Sequence, residues 1–376
     1  MLVARPPGER GEMRITEALK REVEPLKGKL PEEQVLRLLS LGVTTAEELR
    51  DQLAFGNPLL LHNFLDSPGA PAAPILRAPR VARSAWGRSA GMAPYRALSS
   101  IQDGGTPPLL RRPRGVMLAE AQRSRRALPP APIRSHAEDL AAGGVDLTSQ
   151  MPEVRNQGNR ATSVAFAVCA LREGLAGLVG EPCVPLSSQF VYWMCKERDG
   201  KPKEEGTDLG IGMSVLHEIG TPPATLWRYS PTPDPTGNEG QGPPPKEATL
   251  TAKAKPYQMG RYIRLRSRDV RALRATLEGG NLVVLAVHTF AAWDYPSTAL
   301  SGDISLPLPG DNADGAHALL LVGFEDNAAL PGGGAFAFQN SWGRTWGEKN
   351  RYGVGRGTLP YAYVALYATE AYTVEH

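Results

Sequence analysis

Apolar positions along the chain fall into two regular regimes, separated by a stretch with no period. Between residues 14 and 66 they recur at helical spacing. In PEEQVLRLLSLG, Pro31 suits a first turn and Gly42 a stop. VTTAEELRDQLAFG sets Thr44 three residues before Glu47, the spacing of a capping box, and Gly56 closes the segment. Asn57 can cap a third helix that has Pro58 at its first position. From 67 to 142 Pro, Ala, Gly and Arg replace the pattern, and only GVMLAEAQRSRRAL keeps a short helical period. From about Gly144 the chain turns globular. TSVAFAVCALREGLAGLVG predicts a buried helix of about four turns, and PLSSQFVYWMCKE, GMSVLHEIG and DVRALRATLEGG predict three more. NLVVLAVHTF, AHALLLVGFED, GAFAFQNSW and YAYVALYAT read as strands. Helices precede strands, which predicts an α+β fold rather than alternating βαβ units. A Pro/Gly loop interrupts the domain at 229–246, and no internal repeat is visible. The expected division is therefore a helical module at 1–66, a linker or pro-segment at 67–142, and a main domain at 143–376.

Composition narrows the function. The chain has 376 residues, 41% hydrophobic and 22% charged, as in ordinary globular proteins. Its net charge of +3 is unevenly spread, because residues 77–134 hold twelve Arg, no Lys, and only Asp103 and Glu120 as acids. That basic stretch lacks the interleaved aromatics of a single-strand-binding surface, so nucleic acid is not expected. It reads as a solvated linker or a pro-segment, with processing sites near RSRR or APIRS. Three cysteines, Cys169, Cys183 and Cys195, are no disulfide framework, and the first residues hold no apolar leader. No run approaches a membrane span. A cytoplasmic protein is the expectation. GTDLGIG and PGGGAF do not sit between a strand and a helix as a phosphate cradle must, so no nucleotide, other cofactor or metal is expected. The 1–66 module is expected to pack on the main domain or to recruit a protein partner.

Three segments carry chemistry: NQGNRATSVAFA, DGAHALLLVGF and QNSWGRTWGE. The first delivers Ser163 to a helix N-terminus, where free N–H groups and the helix dipole stabilise an anion. The second holds His317 in an apolar strand, positioned to act as a base. The third supplies Asn340, an amide able to orient an imidazole without adding charge. Gln157 can donate to a developing oxyanion. His217 and His288 have no such company.

These motifs resemble the papain-like cysteine peptidases, in particular compact bacterial members. Gln157-Gly158 matches the family's Gln-Gly loop, Gly315-Ala316-His317 its histidine strand, and Asn340-Ser341-Trp342-Gly343 its Asn-Ser-Trp-Gly turn. The likeness covers about residues 143–375. It implies a two-lobed α+β fold, with a helical lobe around a central helix and an antiparallel sheet or barrel in the other. It also implies a polypeptide substrate and site roles. Gln157 and the 163 amide would form the oxyanion hole, His317 would be base and then acid, and Asn340 would orient His317. Trp342 would shield that pair, Gly206 and Thr207 would pair with extended substrate, and the Arg-rich stretch before Val145 would suit the family's pro-segment, which lies across the cleft and blocks it.

Position 163 departs from the family, which places Cys there. A thiol near pKa 8.5 can be drawn down to about 3–4 in such a site, whereas a serine hydroxyl cannot be ionised in that way. Little or no peptidase activity is expected of the Ser163 chain. Cys169 lies six residues on, on another helix face, and reads as core. Three readings follow: a cysteine peptidase with its nucleophile replaced by Ser, a natural pseudopeptidase kept for protein binding, and a working Ser-His-Asn hydrolase. The full set of Gln157, His317 and Asn340 favours the first. Ala161, where the family usually has Gly, favours the second.

Overall fold

A computed structural model of the chain describes residues 30–66, 111–118 and 143–375. The helical pattern at 14–29, most of the possible helix GVMLAEAQRSRRAL and the RSRR and APIRS sites lie outside them; the first four residues of that possible helix, 115–118, are described and are extended, with Val116 bridged to Thr207.

Among the described residues three short helices come first: α1 (Glu32–Ser40), α2 (Ala46–Phe55) and α3 (Pro58–Asp66). Pro31 precedes α1, and Gly42, at φ +79°, ends it in the left-handed region. Asn57 Oδ1 accepts the N–H groups of Leu59 and Leu60, capping α3. The capping box of α2 lies one residue later than the sequence suggests. Thr45 Oγ1 accepts the Glu48 N–H, and Glu48 Oε2 accepts the N–H groups of Thr44 and Thr45.

The main domain begins with β1 (Gly144–Asp146), followed by the long helix α4 (Ser163–Leu178). Helices α5 (Ser188–Asp199), α6 (Leu209–Glu218) and α7 (Glu247–Ala254) complete the helical lobe. Then come β2 (Tyr262–Arg264), α8 (Val270–Glu278), β3 (Val283–Thr289) and α9 (Pro296–Ser301). The chain closes with β4 (Gly315–Asp326), β5 (Gly334–Gln339), β6 (Arg356–Pro360), α10 (Tyr361–Tyr367) and β7 (Ala368–Val374). The strand expected at YAYVALYAT is thus mostly helix, with β7 starting only at Ala368. Tyr361, Tyr363, Val364 and Tyr367 are all buried, so burial on several sides hid the period.

The strands of the described residues join one antiparallel sheet in the order β2-β7-β3-β4-β5-β6, with β1 paired to β4. Strand alternation divides the core in two. Val284, Ala286, Ala318, Leu320 and Val322 pack against Val164, Val168 and Leu171 of α4. Val283, Leu285, Leu319 and Leu321 share the second core with Tyr363 and Tyr367 of α10. The N-terminal module enters that second core through Leu38, Leu41, Val43, Leu49, Leu61 and Phe64. Polar contacts fix its register: Leu306 N–H donates to Leu41 O (2.7 Å), and Ser297 N–H to Asp51 Oδ2 (2.7 Å). The module is an extra layer on the sheet domain.

Candidate active site

Ser163 is the first residue of α4, and Thr162 gives the helix no side-chain cap. The Thr162 hydroxyl is bonded instead to Tyr229 OH at 2.7 Å. The 163 amide lies in the first turn, where no intrahelical carbonyl can reach it.

Three segments meet this helix end. In β4, His317 pairs in register with Val287 of β3, which anchors the ring's backbone within the sheet. Asn340 follows β5 directly. His317 Nε2 donates to Asn340 Oδ1 at 2.8 Å, and the same oxygen accepts the Ser341 N–H at 2.7 Å. Because that oxygen only accepts, the ring proton sits on Nε2 and Nδ1 is left as the acceptor. Among the described residues His317 Nδ1 has no hydrogen-bond partner. The Ser163 hydroxyl does not occupy it: Oγ accepts the Ala318 N–H at 3.1 Å. Burial pushes the His317 imidazole down to about 3 despite the Asn340 bond, with nearby Arg114 lowering it further. The ring is neutral at ordinary pH.

Trp342 stacks tilted over His317 at 4.6 Å between centroids, and Trp293 lies edge-on to the same ring at 5.8 Å. Together they keep water from the His317–Asn340 bond. Gln157 is fully buried. Its Oε1 accepts from Ser341 Oγ at 2.6 Å, which directs Nε2 toward the Arg160 carbonyl (2.8 Å) and the Pro113 carbonyl (3.1 Å).

The last contact belongs to the Arg-rich stretch, which the family resemblance suits to a pro-segment lying across the cleft. Residues 111–118 cross the site as an extended strap. Gly115 and Val116 donate to Ala316 O (both 3.2 Å), Thr207 N–H donates to Gly115 O (3.1 Å), and Met117 N–H donates to Thr207 O (2.9 Å). Val116 and Thr207 form a parallel bridge. Gly115 lies directly on the nucleophile position, where any Cβ would collide with Ser163 Oγ and the 163 amide. Only glycine fits there. Ser163 is consequently 0% exposed.

Of the two residues expected to pair with an extended chain, Thr207 does so with the strap. Gly206 does not: its N–H donates to Tyr192 OH (3.1 Å), and its carbonyl accepts from Lys196 Nζ (2.9 Å). At φ +83° Gly206 turns the backbone so that Thr207 faces the cleft. Cys169 is buried in α4 with its thiol pushed up to about 12, and burial likewise raises Cys195. Cys183 donates to Glu173 O at 3.3 Å. None of these thiols belongs to the site.

Sequence reading missed Trp293, Asp294 and Asp314. Asp294 Oδ2 accepts from Arg114 Nη2 at 2.7 Å, and its Oδ1 accepts the Arg112 N–H at 3.1 Å. Asp314 approaches Arg114 Nη2 at 3.4 Å. Both arginines stack over Trp342, at 5.5 Å for Arg112 and 5.2 Å for Arg114. DNADGAH put Asp314 three residues before His317, a weak signal; nothing local marked Asp294. Among the described residues no His/Cys/Asp/Glu group could hold a metal, and no helix is long and apolar enough to cross a membrane.

A helix-borne serine, a strand histidine held by an asparagine, and a glutamine amide beside them meet at the head of α4 on an α+β, two-lobed fold. The chain belongs to the papain family of cysteine proteases, whose sequence profile matches residues 144–365. It is 25% identical over 185 residues to an uncharacterized peptidase C1-like protein of Acanthamoeba polyphaga mimivirus, covering 48% of this chain and 54% of that protein. The chain thus spans about half the length of that relative. Among solved structures it resembles xylellain, a cysteine protease from Xylella fastidiosa, at 25% identity and TM-score 0.55, covering 72% of this chain and 99% of that one. Digestive procathepsin L 3 of Tenebrio molitor is also similar, at 20% identity and TM-score 0.45, covering 68% and 76%.

Proposed function

We propose that this chain is the framework of a papain-family peptide hydrolase, closed by its own 111–118 strap and inert because Ser stands at position 163. The observation that carries this reading is the position of the strap backbone. Gly115 lies on residue 163, while Pro113 takes the Gln157 donor that an oxyanion would need.

With a thiol at 163, the chemistry follows from the arrangement. His317 Nδ1 is the acceptor available for the thiol proton. The thiolate attacks the peptide carbonyl, and the 163 amide with Gln157 Nε2 stabilises the oxyanion. His317 then gives its proton to the leaving amine, and water hydrolyses the acyl-enzyme. Asn340 holds the ring, and Trp342 with Trp293 excludes water. A serine needs its proton removed during attack, yet its hydroxyl here bonds Ala318 N–H rather than His317.

That same bond favours a second reading: a natural pseudopeptidase whose cleft binds a polypeptide. One experiment separates the two. Ser163→Cys is treated with an epoxide-type thiol probe, alone and with Arg112→Ala/Arg114→Ala to loosen the strap. Labelling at residue 163 that increases in the loosened variant supports the hydrolase framework. No labelling in either, with the fold intact by circular dichroism, supports the binding module. A Cys codon at position 163 in the source genome would exclude the pseudopeptidase outright.

A further inference from the structure

Asp294 is a carboxylate in an unusual position. Its side chain is 1% exposed, yet its charged partner, Arg114, belongs to a segment that must leave before any substrate can enter. Arg114 binds it with both terminal nitrogens (Nη1 at 3.4 Å, Nη2 at 2.7 Å) and lies over Trp342. Asp314 supports the same guanidinium and is itself held by Thr289 Oγ1 at 2.7 Å. Aromatic face, buried carboxylate and second carboxylate together form a receptor for a planar cation. When the strap departs, Asp294 loses the guanidinium that pairs with it, and a cation seated in the same place would restore that pair.

The position of this receptor relative to the chemistry indicates what should fill it. His317 must pass its proton to the leaving amine, so the departing half of a substrate lies on the imidazole side of residue 163. Trp342 and Trp293 both touch that ring, and Asp294 directly follows Trp293. Resting on the hydrolase framework above, we propose that Asp294, Asp314 and Trp342 form a leaving-side subsite selecting peptides with arginine within two residues after the scissile bond. The strap fills this subsite with Arg114 as a stand-in for that substrate arginine.

The test uses the full chain carrying Gly115→Val, which evicts the strap by the collision described above. Arg112→Ala/Arg114→Ala is the alternative should Gly115→Val fail to fold. With Ser163 retained, binding of fluorescent octapeptides is measured by anisotropy; the peptides differ only in having Arg-Arg, Ala-Ala or Glu-Glu after a central Gly. The Arg peptide should bind about tenfold more tightly than the Ala peptide, and Glu weakest. Asp294→Asn should bring Arg and Ala to within about twofold. The same peptides are then given to the Ser163→Cys form, and the Arg preference should reappear in kcat/KM. Equal binding of Arg and Ala peptides overturns the subsite, and cleavage of either would leave the hydrolase reading intact. An Asp294-dependent Arg preference in binding, with no cleavage by Ser163→Cys, upholds the subsite and rejects the hydrolase reading.

Discussion

His317 shows how one residue's environment decides its state. Its folded value of about 3 lies below the ordinary 6.5, because burial outweighs the Asn340 bond and Arg114 adds repulsion. The unfolded chain therefore takes up the proton first, and this residue's contribution to stability is lost as pH falls from about 6.5 toward about 3. Imidazole NMR of the Ser163 protein should show a neutral ring down to about pH 4. In Arg112→Ala/Arg114→Ala the midpoint should move upward, since a repelling cation is gone and Asp294 and Asp314 lose their partner. An unchanged midpoint would mean that the strap does not govern this ring. At this scale the sequence was legible where the chemistry demands a residue type: Gln157, His317 and Asn340 stand out in short local contexts. Asp294 was not legible, because its meaning comes from Arg114, 180 residues away.

Elements were legible to the extent that their signals are local. The four-turn helix behind Ser163 and the strands β3, β4 and β5 follow from runs of apolar residues. The α2 cap shifted by one because TTAEE satisfies the capping box in two registers, and only the docked geometry selects Thr45 with Glu48. Thr45→Ala should cost about 1 kcal/mol in urea unfolding, and Thr44→Ala clearly less. Glu48 itself is pushed up to about 7 by burial, against its bonds to Thr44 and Thr45, with Asp303 raising it further. Since the folded state holds this proton more tightly, its contribution is full below about 4.5 and is lost as pH rises through about 7. Glu48→Gln should flatten the stability profile in that window; an unaltered slope from pH 4.5 to 7 would show that Glu48 is not buried as described. The helix α10 escaped pattern reading because aromatic residues bury on several of its sides.

The whole molecule joins parts that composition alone would separate. The N-terminal helices read as a module that packs on the main domain or on a partner, and Leu38, Leu41 and Leu49 share a core with Trp293, Phe336 and Tyr363 of the main domain. Module and sheet domain should therefore unfold together. Leu49→Ala should lower stability by about 2–5 kcal/mol and shift one common transition, followed by far-UV dichroism and tryptophan fluorescence. Two separated transitions, with only the helical one moved, would show that the module is independent. The Arg-rich stretch also changes meaning at this scale: Arg112 and Arg114 lie against Trp342 and two aspartates rather than in solvent.

By itself the sequence determined the α+β class, the central helix and the Gln-Ser-His-Asn constellation with its mismatched nucleophile. Each depends on periodicity or on a residue type required within a short window. The tertiary structure alone decided which residues of the Arg-rich stretch lie across residue 163, that only glycine fits at 115, and that Asp294 and Asp314 hold Arg114 beside Trp342. Those facts depend on which distant segments share a few ångströms of space, and no local pattern encodes that.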